Sequence, residues 1–204
     1  MQFWFDSKSG NNMKRVFIVH GWGGYPAEGW FPWLKSELEA KGFLVMVPQM
    51  PDTDKPRIES WIPALADAVG VADADTYFVG HSMGCQAIVR YLETLPEGMQ
   101  IGGAVFVAGF FKHLTNIEED GLDAEAIAAA WLNAPLDFAK VKFHLPQSVA
   151  LFSDNDLYVP LDNQDDFRDK LGSEIVIEKS AGHFSGSDGV TELPVAFNAL
   201  ISLP

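Results

Sequence analysis

Ser82 stands in Gly80-His81-Ser82-Met83-Gly84, between the apolar run Thr76-Tyr77-Phe78-Val79 and Cys85 to Leu92, whose apolar residues recur at helical spacing. Gly-x-Ser-x-Gly between a strand and a helix is the context of a nucleophile elbow. The chemistry needs both glycines, because strand and helix can close on a strained serine only where neighbouring Cβ atoms are missing. The serine oxygen then sits at a helix N-terminus, which favours developing negative charge. Taken alone, the pattern also fits a glycine-rich turn that carries a serine by chance. A base, a carboxylate and an oxyanion hole must come from elsewhere in the chain.

Ala181-Gly182-His183-Phe184 follows one late apolar run, and Ser153-Asp154-Asn155-Asp156-Leu157-Tyr158-Val159-Pro160 follows another. Serine, acid, histidine is the chain order of the α/β-hydrolases. Histidine titrates near neutrality, so it can take the proton of Ser82 and return it to a leaving group. A carboxylate holds the ring in the productive tautomer and stabilises the imidazolium. Asp156 is the expected carboxylate, from its place in the loop before Val159-Pro160, and Asp154 is its competitor. Either could instead be a turn-capping aspartate. A calcium loop fits less well, since the stretch lacks the glycine and late glutamate of an EF-hand. His20, His81, His113 and His144 are the rival bases. His20 and His81 read as loop-shaping residues, and His113 and His144 lie in residues 110–146, which read as a cap. The chain-order rule favours His183, which follows the last strand and a glycine. For the oxyanion hole the expected donors are the backbone N–H groups of Met83 and of Trp22, in His20-Gly21-Trp22-Gly23. That loop lacks the Gly-x-Gly-x-x-Gly spacing and basic partner of a phosphate site. Trp22 is also the tryptophan expected nearest to substrate. No cofactor and no metal is expected.

The elements that must position these groups are legible in order. Buried strands read from Arg15 to His20, Phe43 to Val47, Thr76 to Val79, Gly103 to Ala108, Ser148 to Phe152 and Glu174 to Ile177. Helices read from Ala27 to Lys41, Arg57 to Val69, Cys85 to Leu92, Ala124 to Leu132, Asp162 to Leu171 and Glu192 to Ser202. Pro63 is expected to delay or kink the second of these. Strands alternating with helices imply right-handed crossovers and a parallel sheet. Residues 110–146 are long for a plain connection and read as a small cap insertion over the site, the alternative being an ordinary crossover helix. Residues 1–12 read as a flexible leader, and 1–204 as a single domain.

Bulk properties exclude several functions. A formal net charge of −14 argues against nucleic acid, whose phosphates need a basic face. It also mildly disfavours anionic substrates and membranes. No apolar run approaches a membrane span, and the start lacks the pattern of a secretory signal. The single cysteine, Cys85, reads as a buried small side chain and suits a reducing compartment, so a cytoplasmic setting is expected.

The chain resembles the small α/β-hydrolases related to retinoblastoma-binding protein 9, and in particular their bacterial YdeN-like group. The likeness runs from Met13 almost to the end. It rests on Val16-Phe17-Ile18-Val19-His20-Gly21, Trp30-Phe31-Pro32-Trp33-Leu34-Lys35, Met50-Pro51 with Pro56-Arg57, and His81-Ser82-Met83-Gly84-Cys85. Asp156 with Val159-Pro160, Gly182-His183-Phe184, Asp188-Gly189 and Leu193-Pro194 complete it. The resemblance implies a three-layer α/β-hydrolase fold with a six-stranded, mostly parallel sheet and helices on both faces. It implies Ser82, Asp156 and His183 as the catalytic residues of a serine hydrolase of small esters. Amide or peptide cleavage by the same residues, or a protein-binding module with little turnover, are the alternatives. A protein partner is allowed but not indicated by any motif.

Overall fold

The computed structural model of the chain describes residues 13–117 and 123–204. The leader 1–12 and the acidic run Glu118-Glu119-Asp120-Gly121 lie outside the described residues. Six strands form one sheet: β1 (Arg15–Val19), β2 (Leu44–Met46), β3 (Thr76–His81), β4 (Gly103–Val107), β5 (Ser148–Ser153) and β6 (Glu174–Glu178). Their order is β2-β1-β3-β4-β5-β6, and each neighbouring pair is parallel. This is an open α/β sheet with its topological switch between β1 and β3. There the connections leave in opposite directions and open a crevice at the carboxyl ends of the strands.

The strands read as unbroken apolar runs because both faces of the sheet are covered. Phe17, Phe78, Ala104, Phe106, Ala150 and Phe152 point into one core, while Val16, Ile18, Val79, Val105, Val107 and Leu151 point into the other. Helices α1 (Phe31–Ala40) and α7 (Pro194–Ser202), at the end of the chain, close the second core with Leu34, Leu38, Ala196 and Leu200. The first core lies under α2 (Ile58–Val69), α3 (Met83–Glu93), α4 (Ala124–Asn133) and α5 (Phe138–His144). Trp61 and Trp131 meet edge to face within it, with ring centroids 5.7 Å apart. Each such fully buried side chain contributes roughly 1.5–3 kcal/mol, so the sheet between the layers is a stiff platform.

Several helices differ from the sequence reading for local reasons. Helix α1 begins at Phe31 rather than Ala27, because Gly29 takes a left-handed φ of 50° that no helix accommodates. Helix α2 starts on time and runs through Pro63. The proline and Glu59, whose carbonyl its ring displaces from helical bonding, are both exposed to water. Helix α5 is missing from the sequence reading; Asp137 caps it by accepting from Lys140 N at 3.0 Å. The expected helix 162–171 is instead a 3₁₀ turn (Leu161–Asn163), a short α6 (Gln164–Asp166) and a wide π turn (Phe167–Leu171) ended by Gly172 at φ 75°. In that turn Phe167 packs among Phe106, Phe111 and Phe152.

Candidate active site

Val19 pairs with Gly80 across the β1–β3 boundary, so the loop after β1 and the turn after β3 lie side by side. Ser82 is the turn. Its backbone takes φ 50° and ψ −117°, a region that side-chain-bearing residues rarely occupy, and its N–H continues the ladder to Val107 O at 2.9 Å. Packing explains both glycines of the motif. A Cβ on Gly80 would stand 2.7 Å from Ile88 Cδ1 and 2.9 Å from Cys85 N. One on Gly84 would penetrate Val19 O and stand 2.7 Å from His20 O. The first turn of α3 therefore rests directly on the end of β1, and Met83 N is the first amide of the helix.

The loop after β1 is braced from behind by His20. Its Nδ1–H donates to Gly21 O at 2.9 Å, while Nε2 accepts from Met50 N at 3.1 Å, so both ring nitrogens are occupied and the tautomer is fixed. Burial lowers its pKa and keeps it neutral. Gly23 N donates to Thr53 O and Gly24 N to Gly21 O. Among the described residues no turn, loop or cap hydrogen bond takes the N–H of Trp22 or Met83. The Trp22 indole donates to Asp54 O at 3.0 Å and its ring lines the cavity.

Asp156 and His183 meet at the ends of β5 and β6. His183 Nδ1–H donates to Asp156 Oδ2 at 2.8 Å, and Asp156 Oδ1 accepts from Tyr158 N at 2.8 Å and Val159 N at 3.0 Å. The carboxylate is almost fully buried, at 2% exposure, and it is the acceptor in each of these hydrogen bonds. Asp154 is occupied elsewhere: its Oδ1 accepts from Ser180 N at 2.8 Å. Asn155 accepts from Gly182 N at 2.9 Å and so ties the two loops together.

A cavity of about 430 Å³ opens where these loops meet. Ser82, Met83, His81 and His183 line it together with Trp22, Glu28, Asp54 and Tyr158, and Phe110, Leu114 and Ile117 join the lining from the segment after β4. With Nδ1 protonated toward Asp156, the Nε2 of His183 is the basic nitrogen. Among the described residues no hydrogen bond joins it to Ser82 Oγ. Burial raises the pKa of Glu28, against a smaller pull from His183. Burial also pushes His81 down to about 3, with repulsion from His183 adding to it.

Of the rival histidines, His81 lines the cavity and His20 braces the loop beside it, while His113 and His144 are not among its lining residues. His113 approaches Asp162, and His144, the last residue of α5, donates from Nδ1 to Met99 O at 2.7 Å. Cys85 is buried, and burial raises its thiol pKa. Two contributors have no role in the sequence reading: Asn163, which it does not single out, and Asp188, which enters it only within the resemblance. Asn163 is wholly buried, and its Oδ1 accepts from Phe111 N at 3.0 Å and Lys112 N at 2.9 Å, fixing the wall that carries Phe110 and Leu114. Asp188 receives the N–H groups of His183 and Ser185 and the Ser185 hydroxyl. Burial alone would raise its pKa, but these hydrogen bonds prevail and lower it. Its signal was readable, since Ser185 and Asp188 have the spacing of a capping box. Among the described residues no group of three or more His, Cys, Asp or Glu side chains is arranged to hold a metal, and no helix is long and apolar enough to cross a membrane.

An open parallel sheet with this strand order, a serine in the sharp turn after β3 and a histidine–aspartate pair at the ends of later strands define an α/β-hydrolase. The chain belongs to the serine hydrolase family, whose model matches residues 16–202. It is 31% identical to the putative hydrolase YdeN of Bacillus subtilis over 189 residues, 93% of this chain and 95% of YdeN. It is 27% identical to the serine hydrolase RBBP9 of Rattus norvegicus over 177 residues, 85% of this chain and 89% of that protein. The crystal structure of the B. subtilis ydeN gene product superimposes with a TM-score of 0.84 at 30% identity, over 93% of this chain and 98% of the other.

Proposed function

We propose that the protein hydrolyses small carboxylic esters through an acyl-enzyme on Ser82. His183 Nε2 removes the hydroxyl proton as Oγ attacks the carbonyl carbon. The proton then passes to the departing alkoxide, and the acyl group stays on Oγ. Water, activated by the same nitrogen, releases the acid and restores the serine. Asp156 holds the ring so that Nε2 carries the lone pair, and stabilises the imidazolium. The N–H groups of Trp22 and Met83 receive the oxyanion, each donor being worth on the order of 3 kcal/mol.

The observation that carries this reading is the His183–Asp156 hydrogen bond at 2.8 Å, opening on the same cavity as a serine in a strained turn. The cavity volume of about 430 Å³ supports a small substrate. Glu28 and Asp54 line it, with no lysine or arginine among the described lining residues, which favours neutral or cationic esters over anionic ones. We read residues 110–117 as the part of the expected cap that roofs the substrate. The single, buried and unpaired Cys85 supports a cytoplasmic setting.

A fluorophosphonate probe tests the mechanism. It should label Ser82, and Ser82→Ala should lose both labelling and turnover; persistent turnover in that variant would remove the mechanism. Matched esters and amides of one acyl group then decide which bond is preferred. Labelling without turnover of either, together with capture of a partner by Ser82→Ala, would turn the reading toward a binding module.

A further inference from the structure

The backbone of His183 is gripped on both sides by side chains from other parts of the chain. Its N–H donates to Asp188 Oδ2 at 3.0 Å, and its carbonyl accepts from His81 Nε2 at 2.8 Å. His81 precedes Ser82 in the chain. We propose that His81 is a positioning residue, which links the turn presenting the nucleophile to the backbone of the base and so sets where the His183 ring stands relative to Ser82 Oγ. The inference rests on the reading of Ser82 and His183 given above.

A carbonyl can only accept, so the partner fixes His81 as the tautomer protonated at Nε2. The ring has no freedom to swing away. It is 5% exposed and lies edge-on to Trp30 and Phe31, at centroid distances of 6.0 and 6.1 Å. Its other neighbour is the His183 ring itself, 4.9 Å away between centroids. Trp30 Nε1–H donates to Phe184 O at 2.8 Å and fixes the following peptide group. Since Ser82 Oγ and the His183 ring share no hydrogen bond, their alignment depends on what holds each of them. The route Ser82 peptide, His81 side chain, His183 carbonyl joins the two through one hydrogen bond. Asp188 completes the grip from the solvent side, where Gly182 at φ 57° lets the loop fold over its carboxylate.

Two substitutions separate the hydrogen bond from the packing. Glutamine can place an amide N–H near the position of Nε2, whereas methionine fills similar space without a donor. His81→Met should lower kcat and the rate of phosphonate labelling by about 10- to 100-fold, the scale of a misplacement of about 1 Å, with KM nearly unchanged. His81→Gln should recover most of that loss. Asp188→Ala, at an exposed position, applies the same test from the other side and should lower kcat without raising KM. Proton NMR supplies a readout that needs no turnover. The low-field Nδ1–H signal of His183 should persist in the glutamine variant and weaken in the methionine one. Equal behaviour of His81→Met and His81→Gln in labelling and in the NMR signal would overturn the proposal. Absence of wild-type labelling would instead count against Ser82 as nucleophile, and the NMR comparison would still judge the grip.

Discussion

Replacing Asp156 by asparagine changes one oxygen to an amide nitrogen, and the hydrogen bonds around it dictate which way the new group faces. Oδ1 accepts from two backbone amides, Tyr158 N and Val159 N, whereas Oδ2 accepts from one ring nitrogen, His183 Nδ1. An amide that keeps its oxygen on the two backbone donors preserves two hydrogen bonds; the opposite orientation keeps one and sets its NH₂ against two N–H groups. With a hydrogen bond worth about 1 kcal/mol net, and more for an unsatisfied buried donor, the first orientation prevails. The NH₂ then points at His183 Nδ1, which must become an acceptor. The ring proton moves to Nε2, the nitrogen that takes the proton of Ser82 in the proposed mechanism, and on that mechanism the base is lost while the packing is kept. The expected loss is about 10⁴-fold in kcat, or roughly 5.5 kcal/mol at about 1.36 kcal/mol per tenfold. Hydrolysis of p-nitrophenyl acetate at neutral pH measures it, with thermal melting to check that the variant is folded. Asp154→Asn is the control, because the carboxylate of Asp154 accepts from Ser180 N, whereas His183 Nδ1 donates to Asp156. A folded Asp156→Asn variant that kept a tenth or more of wild-type kcat would refute the tautomer argument, as would an equal loss in the control.

Gly84→Ala drives a methyl group into Val19 O and His20 O, backbone atoms of the central strand that cannot rotate away. It should cost about 3 kcal/mol or more in urea denaturation, while Gly23→Ala, with open space around it, should cost about 1 kcal/mol from its φ of 66°. His81 links stability to pH. Burial holds its folded pKa to about 3 against an ordinary 6.5, so below pH 6.5 the unfolded chain binds a proton that the folded one refuses. Above pH 6.5 the group has no effect; as pH falls from 6.5 toward 3 it removes stability at about 1.4 kcal/mol per unit, and His20 acts in the same direction. His81→Gln should flatten this acid slope in denaturation curves, and an unchanged slope would count against it. Arg90 donates to Trp131 O at 2.6 Å, Ala134 O at 3.1 Å and Pro135 O at 3.2 Å, holding the carboxyl end of α4. Arg90→Ala should cost about 3 kcal/mol and expose residues 131–135 to limited proteolysis; resistance equal to wild type would contradict that role.

The strands were legible because a sheet covered on both faces demands unbroken apolar runs, and the six runs in the sequence became six strands with ends shifted by a residue or two. The elbow was legible because its determinants are local: Gly80, Ser82 and Gly84 act within five residues. That His183 and Asp156 would meet was legible at a distance only because each follows a strand, and every strand end of a parallel sheet lies on the same edge. Helix α5 was not legible, and of the helical segment 161–171 the extent was legible but not the irregular winding. The first is seven residues long, and the second takes its shape from Phe167 packing among three other phenylalanine rings. The supports of the site were hidden for a similar reason. The bonds of His81 to His183 O and of Asn163 to Phe111 N exist only once loops distant in sequence have folded together.

Backbone strain follows the same division of labour. Among the described residues the non-glycine positions with left-handed φ are Asp52, Ser82, Ala108, Asn116, Ser180 and Phe184, between 46° and 56°. Asp52 lies in the connection after β2, Ser82 follows β3, Ala108 and Asn116 follow β4, and Ser180 and Phe184 follow β6. All six therefore lie in connections that leave the carboxyl edge of the sheet. Such conformations cost of order 1–3 kcal/mol each and persist only where the surroundings over-determine them. Here the surroundings are specific: Val107 O holds Ser82 N, Leu151 O holds Ala108 N, Asp154 holds Ser180 N, and Trp30 holds Phe184 O. The regular sheet and its two apolar layers carry the stability, and the edge that bears Ser82, Asp156 and His183 draws on it to keep backbone geometries that the chain would not otherwise adopt.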